Sequence, residues 1–188
     1  LYLEIPPPYN NCLPDALAKI NADMFGEDEG QLRYDITTCM QDKGYDPVKN
    51  GVPLSGIKDA LACKEAAMKA NGWKETFGGG GVGKPGPGGP SIPIDSPFKN
   101  NCPPLGSTIV AVFAGPPGGS GHTAACKVVI CNPRNGHAVL DCKESSASSG
   151  GAWGWVADVG PSGHVVTNPR SSMDGGSVMG FTTVSASR

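Results

Sequence analysis

Aromatic side chains are scarce in this sequence, and so are charged ones. Phe, Trp and Tyr make up 6% of the 188 residues, whereas there are 28 glycines and 18 prolines. This composition predicts long loops around a modest hydrophobic core. The charged fraction is 17% and the net charge is −2. Because this leaves no basic surface for phosphate groups, we expect no nucleic-acid partner.

Long apolar runs are missing too. No apolar segment is long enough to span a bilayer, and the amino-terminal residues lack the basic-then-apolar pattern of a signal peptide. We therefore expect a soluble chain with no membrane partner. A chain of 188 residues can bury one good core, which predicts a single domain over residues 1–188.

The seven cysteines are an odd number, and no two of them form a C-x-x-C pair. At least one thiol is left over if pairing occurs only within the chain. Up to three disulfides would suit an oxidising compartment, and a reduced domain is equally compatible with the sequence. The sequence alone therefore does not decide the compartment.

The predicted elements change in type along the chain. Apolar residues at helical spacing predict mainly helices over the first 72 residues. From Ser107 onward, short apolar runs between glycines and prolines predict strands, such as 122–130 and 137–143. Between them, a Gly/Pro-rich stretch at about 77–104 predicts a flexible insertion. Helices followed by an antiparallel sheet indicate an α+β fold.

One motif in the insertion resembles a phosphate-binding loop. Residues 78–84 read GGGGVGK, but Pro85 stands where such a loop needs Ser or Thr. No helix can follow directly, because Pro85 and Pro87 both interrupt one. A flexible insertion is therefore the preferred interpretation, with a flap beside the site as its possible role.

Cys12 is the candidate nucleophile because it precedes an amphipathic helix. Leu13, Leu17 and Ile20 recur at helical spacing, and Pro14 fits the first helical turn. The N–H groups and the positive dipole at a helix start favour a thiolate. Asn11 is a candidate for holding an oxyanion together with the Cys12 N–H. The competing interpretation is that Cys12 is a small buried hydrophobe or half of a disulfide.

His122 is the candidate general base, since it follows a glycine-rich bend and opens a predicted strand. If the next connection is a loop of about eight residues, strand alternation predicts Asp141 on the same face, where it would orient the imidazole. A tight turn would instead place the region of Glu144 opposite His122. Glu144 is therefore the alternative third member of the catalytic triad. The competing interpretation is a structural histidine bonded to a backbone carbonyl. A thiol site of this kind needs no cofactor and no metal.

A zinc site is the competing interpretation for the predicted hairpin. Cys126, Cys131, His137 and Cys142 have the ligand types that zinc prefers. Their spacing matches no common zinc knuckle. A cross-strand disulfide between Cys126 and Cys142 is the other interpretation of the same residues.

Two resemblances bear on the fold. The run Asn11-Cys12-Leu13, with Ala16, Leu17 and Ala18, resembles the nucleophile motif of the ovarian-tumour (OTU) type cysteine proteases over about the first 45 residues. The second half is similar to bacterial cell-wall amidases and endopeptidases of papain fold, in which a strand precedes a Gly-His that opens the next strand, as Gly121-His122 does here. Both resemblances imply a papain-like α+β fold, in which the nucleophile helix packs on a C-terminal antiparallel sheet.

The residues and the resemblances together predict a cysteine peptidase or thiol amidohydrolase. His122 would deprotonate Cys12, the thiolate would attack an amide carbonyl, and water would release the acyl-enzyme. The substrate classes implied are a viral or effector-type polyprotein, ubiquitin-like conjugates, and peptidoglycan peptides. The alternative class is a non-catalytic binding module stapled by disulfides or zinc.

Overall fold

A computed structural model describes most of the chain as two compact units. The described residues are 17–18, 29–52, 56–82, 85–86, 89–93, 95–115, 122–143, 153–171 and 173–187. The first unit comprises residues 1–76, 145–151 and 185–188, and the second comprises residues 77–144 and 152–184. The described part of the first unit is mainly helical, and that of the second is built from strands.

The described helices of the first unit are α1 (Glu29–Asp42), α2 (Pro47–Asn50) and α3 (Ile57–Ala70). The prediction of helices in this part of the chain is confirmed. Gly44 follows α1 with a φ of 96°, a conformation that glycine adopts without strain and that ends helices. Leu17 and Ala18 are helical and fully buried. The rest of the helix predicted after Cys12 lies outside the described residues.

A covalent bond and a short hydrogen bond tie this unit together. Cys39 of α1 forms a disulfide with Cys63 of α3. The Tyr45 hydroxyl donates to Oδ2 of Asp59 at 2.6 Å. This hydrogen bond, with partial desolvation and the negative charge of Asp59, raises the pKa of Tyr45 above its ordinary value.

Nine strands are present among the described residues, and most of their residues belong to the second unit. Their bounds are β1 (Lys74–Val82), β2 (Pro85–Gly86), β3 (Gly89–Pro93), β4 (Thr108–Ala114), β5 (His122–Cys131), β6 (Ala138–Lys143), β7 (Trp153–Val159), β8 (Val165–Asn168) and β9 (Ser177–Ser187). Seven strands form one sheet in the order β1-β9-β4-β5-β6-β7-β8. Every pairing from β9 through β4 to β8 is antiparallel. The α+β order expected from the sequence is therefore present.

The six antiparallel strands close into a ring. His164, just before β8, bridges to Ser177 at the start of β9. The Val165 N–H donates to the Gly176 carbonyl at 3.0 Å, and the Val178 N–H donates to the Gly163 carbonyl at 2.9 Å. The start of β9 is thereby paired with β4 on one side and with the start of β8 on the other. This closure protects backbone groups that an open edge would leave unpaired.

The interior of the ring is the main hydrophobic core. One cluster of buried residues includes side chains from all six strands, together with Phe98 and Met173 from connecting segments. Phe98 stacks on Phe181 with ring centroids 4.4 Å apart. Phe113 meets Trp155 edge to face at 5.2 Å. Alternation along β5 turns Ala124, Cys126 and Val128 inward and leaves Lys127 exposed, as expected for strands.

The described part of the Gly/Pro-rich stretch contains strands, whereas the sequence predicted a flexible insertion. Residues 78–81 belong to strand β1, and β2 pairs with β3 as a short antiparallel hairpin. Within residues 95–104, Phe98 is fully buried in the core and Cys102 is bridged to Cys131. Because the four glycines lie in a strand, they do not form the anion-binding loop that the phosphate motif requires.

We expect Gly176→Ala to weaken the closure of the ring. A Cβ on Gly176 would collide with the Ala114 carbonyl oxygen and approach the Gly115 backbone to 3.1 Å. Backbone atoms cannot rotate away as a side chain can, so the free energy of unfolding should fall by about 3 kcal/mol. Urea unfolding measures this change. Gly160→Ala is the matched control, because its Cβ would meet only the His164 carbonyl at 3.7 Å, and an equal loss in both variants would contradict the prediction.

Candidate active site

Six of the seven cysteines lie in the described part of the chain, and all six are paired. Three disulfides join Cys39 to Cys63, Cys102 to Cys131 and Cys126 to Cys142. The chain contains seven cysteines, and the seventh is Cys12. Because each sulfur takes part in only one bridge, no cysteine of the chain remains with which Cys12 could pair. A disulfide between Cys12 and any of the other six cysteines of residues 1–188 is thereby excluded.

The same disulfides correct the zinc interpretation of the hairpin. Cys126 and Cys142 face each other across β5 and β6 and are bonded, which confirms the alternative prediction of a cross-strand disulfide. Cys131 is bonded to Cys102. Zinc binds deprotonated thiolates, so the set with His137 is not a zinc site while these bridges are intact. Among the described residues, no group of three or more His, Cys, Asp or Glu side chains is arranged to hold a metal ion.

His122 is the first residue of β5 and pairs with Phe113 of β4. Directly opposed residues in an antiparallel pair share a face, so His122 stands on the same face as the interior residues Phe113, Ala124 and Cys126. It is half-buried at the end of the strand. The pairing of β4 with β9 shifts register between Val112 and Phe113, and such bulges re-aim neighbouring side chains.

Asp141 does not share the surroundings of His122, contrary to the prediction. Asp141 pairs with Lys127, which is five residues from His122 and on the other face of the sheet. At about 3.4 Å per residue, this is a separation of about 17 Å along the strand. The prediction needed a loop beginning near Val128, but Val128 pairs with Leu140 and β5 continues to Cys131. The turn is the shorter segment 132–137, which moves Asp141 away from His122.

The other candidate residues of the site lie outside the described part of the chain. These are Cys12 itself, Asn11 as the oxyanion residue and Glu144 as the alternative third member. Their roles therefore stay predictions. Of the predicted catalytic residues, His122 and Asp141 lie within the described part of the chain.

A histidine and carboxylate pair that the sequence did not indicate lies elsewhere in the second unit. His137 Nε2 is 2.8 Å from Oδ1 of Asp158, and both side chains are exposed to solvent. The pairing of Val139 with Asp158 across β6 and β7 brings the two together. The two residues are 21 positions apart in the chain, so no local sequence pattern indicates that they meet. Predicting the pair would require the register between β6 and β7.

Two further findings bear on function. None of the helices in the described part is long and apolar enough to cross a membrane. The sequence matches no protein-family model and no curated protein, and the fold matches no solved structure.

Proposed function

We propose that this chain is a thiol hydrolase that cleaves peptide or isopeptide bonds, with Cys12 as the nucleophile and His122 as the general base. The observation that supports this proposal is the cysteine pairing. Six cysteines are consumed in three disulfides, and the remaining cysteine is the one that the sequence places before an amphipathic helix. A structural cysteine would be expected to have a partner in so heavily bridged a chain.

The proposed mechanism uses the side chains in the usual roles of thiol hydrolases. His122 takes the proton of Cys12, and the thiolate attacks the carbonyl carbon of the amide. The N–H of Cys12 and the amide of Asn11 stabilise the oxyanion. The protonated imidazole then donates to the leaving amine, and His122 activates a water that hydrolyses the thioester. Asp141 takes no part, because the register separates it from His122.

The disulfides also favour one substrate class. Three bridges in a chain of this length indicate folding in an oxidising compartment. Peptide bonds of extracellular proteins and of peptidoglycan are found there, whereas ubiquitin-like conjugates belong to reducing compartments. We therefore propose an extracellular peptide substrate ahead of a ubiquitin-like one.

A binding module stapled by disulfides is the second candidate function. It is favoured by the three bridges and by the absence of Asp141 from the surroundings of His122. Three apolar side chains, Ile130, Val156 and Val166, are 50%, 40% and 67% exposed. Val166 and Val156 lie on the adjacent strands β8 and β7. A module of this kind has no use for an activated thiol.

The reactivity of Cys12 distinguishes the two candidates. At pH 6 an ordinary thiol is roughly 0.3% ionised, whereas a thiol paired with an imidazolium is largely ionised. We expect iodoacetamide to alkylate Cys12 at pH 6 about 100-fold faster in the folded protein than in the unfolded, non-reduced protein. The bridged cysteines do not react, so the label reports Cys12 alone.

His122→Ala should abolish this rate advantage, and His137→Ala should preserve it as the matched control. Equal rates in the folded and unfolded protein would reject the hydrolase and favour the binding module. A fast rate that His122→Ala leaves unchanged would reject His122 as the base.

A further inference from the structure

The three disulfides differ in their exposure to solvent. Cys126 and Cys142 are both fully buried in the core of the ring. Cys63 is 2% exposed, and its partner Cys39 is half-buried. In the bridge between Cys102 and Cys131, both residues are half-buried. Reduction needs a thiolate to reach a sulfur atom, and among the three bridges this is the one in which neither cysteine is fully or almost fully buried.

The half-buried bridge between Cys102 and Cys131 anchors a segment that fills part of the core. Residues 95–102 precede β4, and Phe98 in this segment is fully buried and stacked on Phe181. The Ser96 N–H donates to the Pro161 carbonyl at 2.9 Å, and the Asn100 N–H donates to the Pro133 carbonyl at 2.7 Å. In addition to these hydrogen bonds, the disulfide from Cys102 to Cys131 links the segment covalently to the end of β5.

Close packing shows where the segment meets the hairpin turn. A Cβ on Gly136 would lie 2.7 Å from the Ser96 Cβ and 3.1 Å from the Lys99 nitrogen. The turn 132–137 and the segment 95–102 are therefore in direct contact. Breaking the bridge leaves the contact with the turn to the Asn100–Pro133 hydrogen bond and the packing at Gly136. The Ser96–Pro161 hydrogen bond and the burial of Phe98 hold the segment elsewhere.

We propose that the bridge between Cys102 and Cys131 is a redox-sensitive tether, which a dithiol reductant opens while the other two bridges stay closed. A thiolate of the reductant attacks one sulfur of the bridge and forms a mixed disulfide, and the other cysteine leaves as a thiolate. The second thiol of the reductant then displaces the first cysteine. Two electrons pass from the dithiol to the bridge, the reductant becomes a disulfide, and both cysteines take up protons. The opened segment then releases Phe98 from the core more often. This device does not depend on the catalytic role of Cys12.

Timed reduction of the folded protein tests the order of opening. The protein is first alkylated at Cys12, then exposed to dithiothreitol without denaturant, quenched with a second alkylating reagent, and mapped by mass spectrometry. We expect label on Cys102 and Cys131 at least about tenfold faster than on Cys39 and Cys63, and slowest label on Cys126 and Cys142. Equal rates for the three bridges, or earlier opening of either of the others, would overturn the proposal.

Hydrogen exchange on the same samples tests the release of the segment. Amides of residues 96–101 should exchange about tenfold faster once the tether is open, while amides of β5 and β6 stay protected. The double variant Cys102→Ser with Cys131→Ser should show the same pattern, and Cys39→Ser with Cys63→Ser is the matched control that should not. Unchanged exchange of the segment in partially reduced wild type would overturn the tether even if the double variant failed to fold.

Discussion

Replacing Cys12 by alanine is expected to lower the hydrolytic rate by about 10⁴-fold or more, because removal of the nucleophile leaves only substrate binding and the oxyanion site. The measurement compares wild type and variant on three probes: a labelled unfolded protein, peptidoglycan fragments and ubiquitin chains. From the disulfides we expect turnover of one of the first two. The three bridges should be kept intact during the assay, so no dithiol reductant is added.

Two variants serve as controls for this prediction. His122→Ala should lower the rate by a similar factor, since residues that act as a unit are not additive. Asp141→Asn should change the rate by no more than about twofold. Asp141 pairs with Lys127, and both lie on the face of the sheet opposite to that of His122. A Cys12→Ala variant with wild-type turnover would reject the proposed nucleophile. A large loss in Asp141→Asn would reject the register argument that removed Asp141 from the site.

Phe98→Ala is expected to lower the free energy of unfolding by about 3–5 kcal/mol. Phe98 is fully buried and its ring stacks on that of Phe181, with an interplanar angle of 9°. The truncation removes apolar contact area and leaves a cavity in the core, which the six strands of the ring cannot close without losing their pairing. Urea unfolding under non-reducing conditions measures the loss.

Leu105, three residues after the segment 95–102, supplies a matched control. Leu105 is 68% exposed, so Leu105→Ala should change the free energy of unfolding by no more than about 0.5 kcal/mol. Phe98→Leu, which keeps most of the buried volume, should lie between the two variants. Similar losses for Phe98→Ala and Leu105→Ala would mean that the burial of Phe98 does not stabilise the core.

Local patterns were sufficient to predict much of the fold. The helices over residues 29–42 and 57–70 follow from apolar spacing, and Gly44 ends the first of them with the backbone conformation that its residue type favours. The hairpin of β5 and β6 follows from the turn residues 132–136, and the facing positions of Cys126 and Cys142 made their disulfide foreseeable. Each of these features depends on residues that are near neighbours in the chain or lie in one hairpin.

The position of Asp141 shows where local patterns failed. The loop length was left open by the sequence, and each choice of register moves Asp141 by several residues relative to His122. The choice was made by side chains outside the turn: Val128 pairs with Leu140, and Cys131 is held by Cys102. The exposed pair of His137 and Asp158 depends on the register between β6 and β7. Local sequence patterns therefore could not predict it either.

The sequence by itself determined the order of helices and strands, the odd number of cysteines and the candidacy of Cys12 and His122, because residue type and spacing act over short distances. Only the tertiary structure decided which cysteines pair, that β8 returns to β9 to close the ring, and that Phe98 fills its interior. These features join residues far apart in the chain, and their free energy comes from core packing that no single segment contains. The three disulfides pair the other six cysteines of residues 1–188 with one another and so leave none of them for Cys12, which is the observation that supports the proposed chemistry.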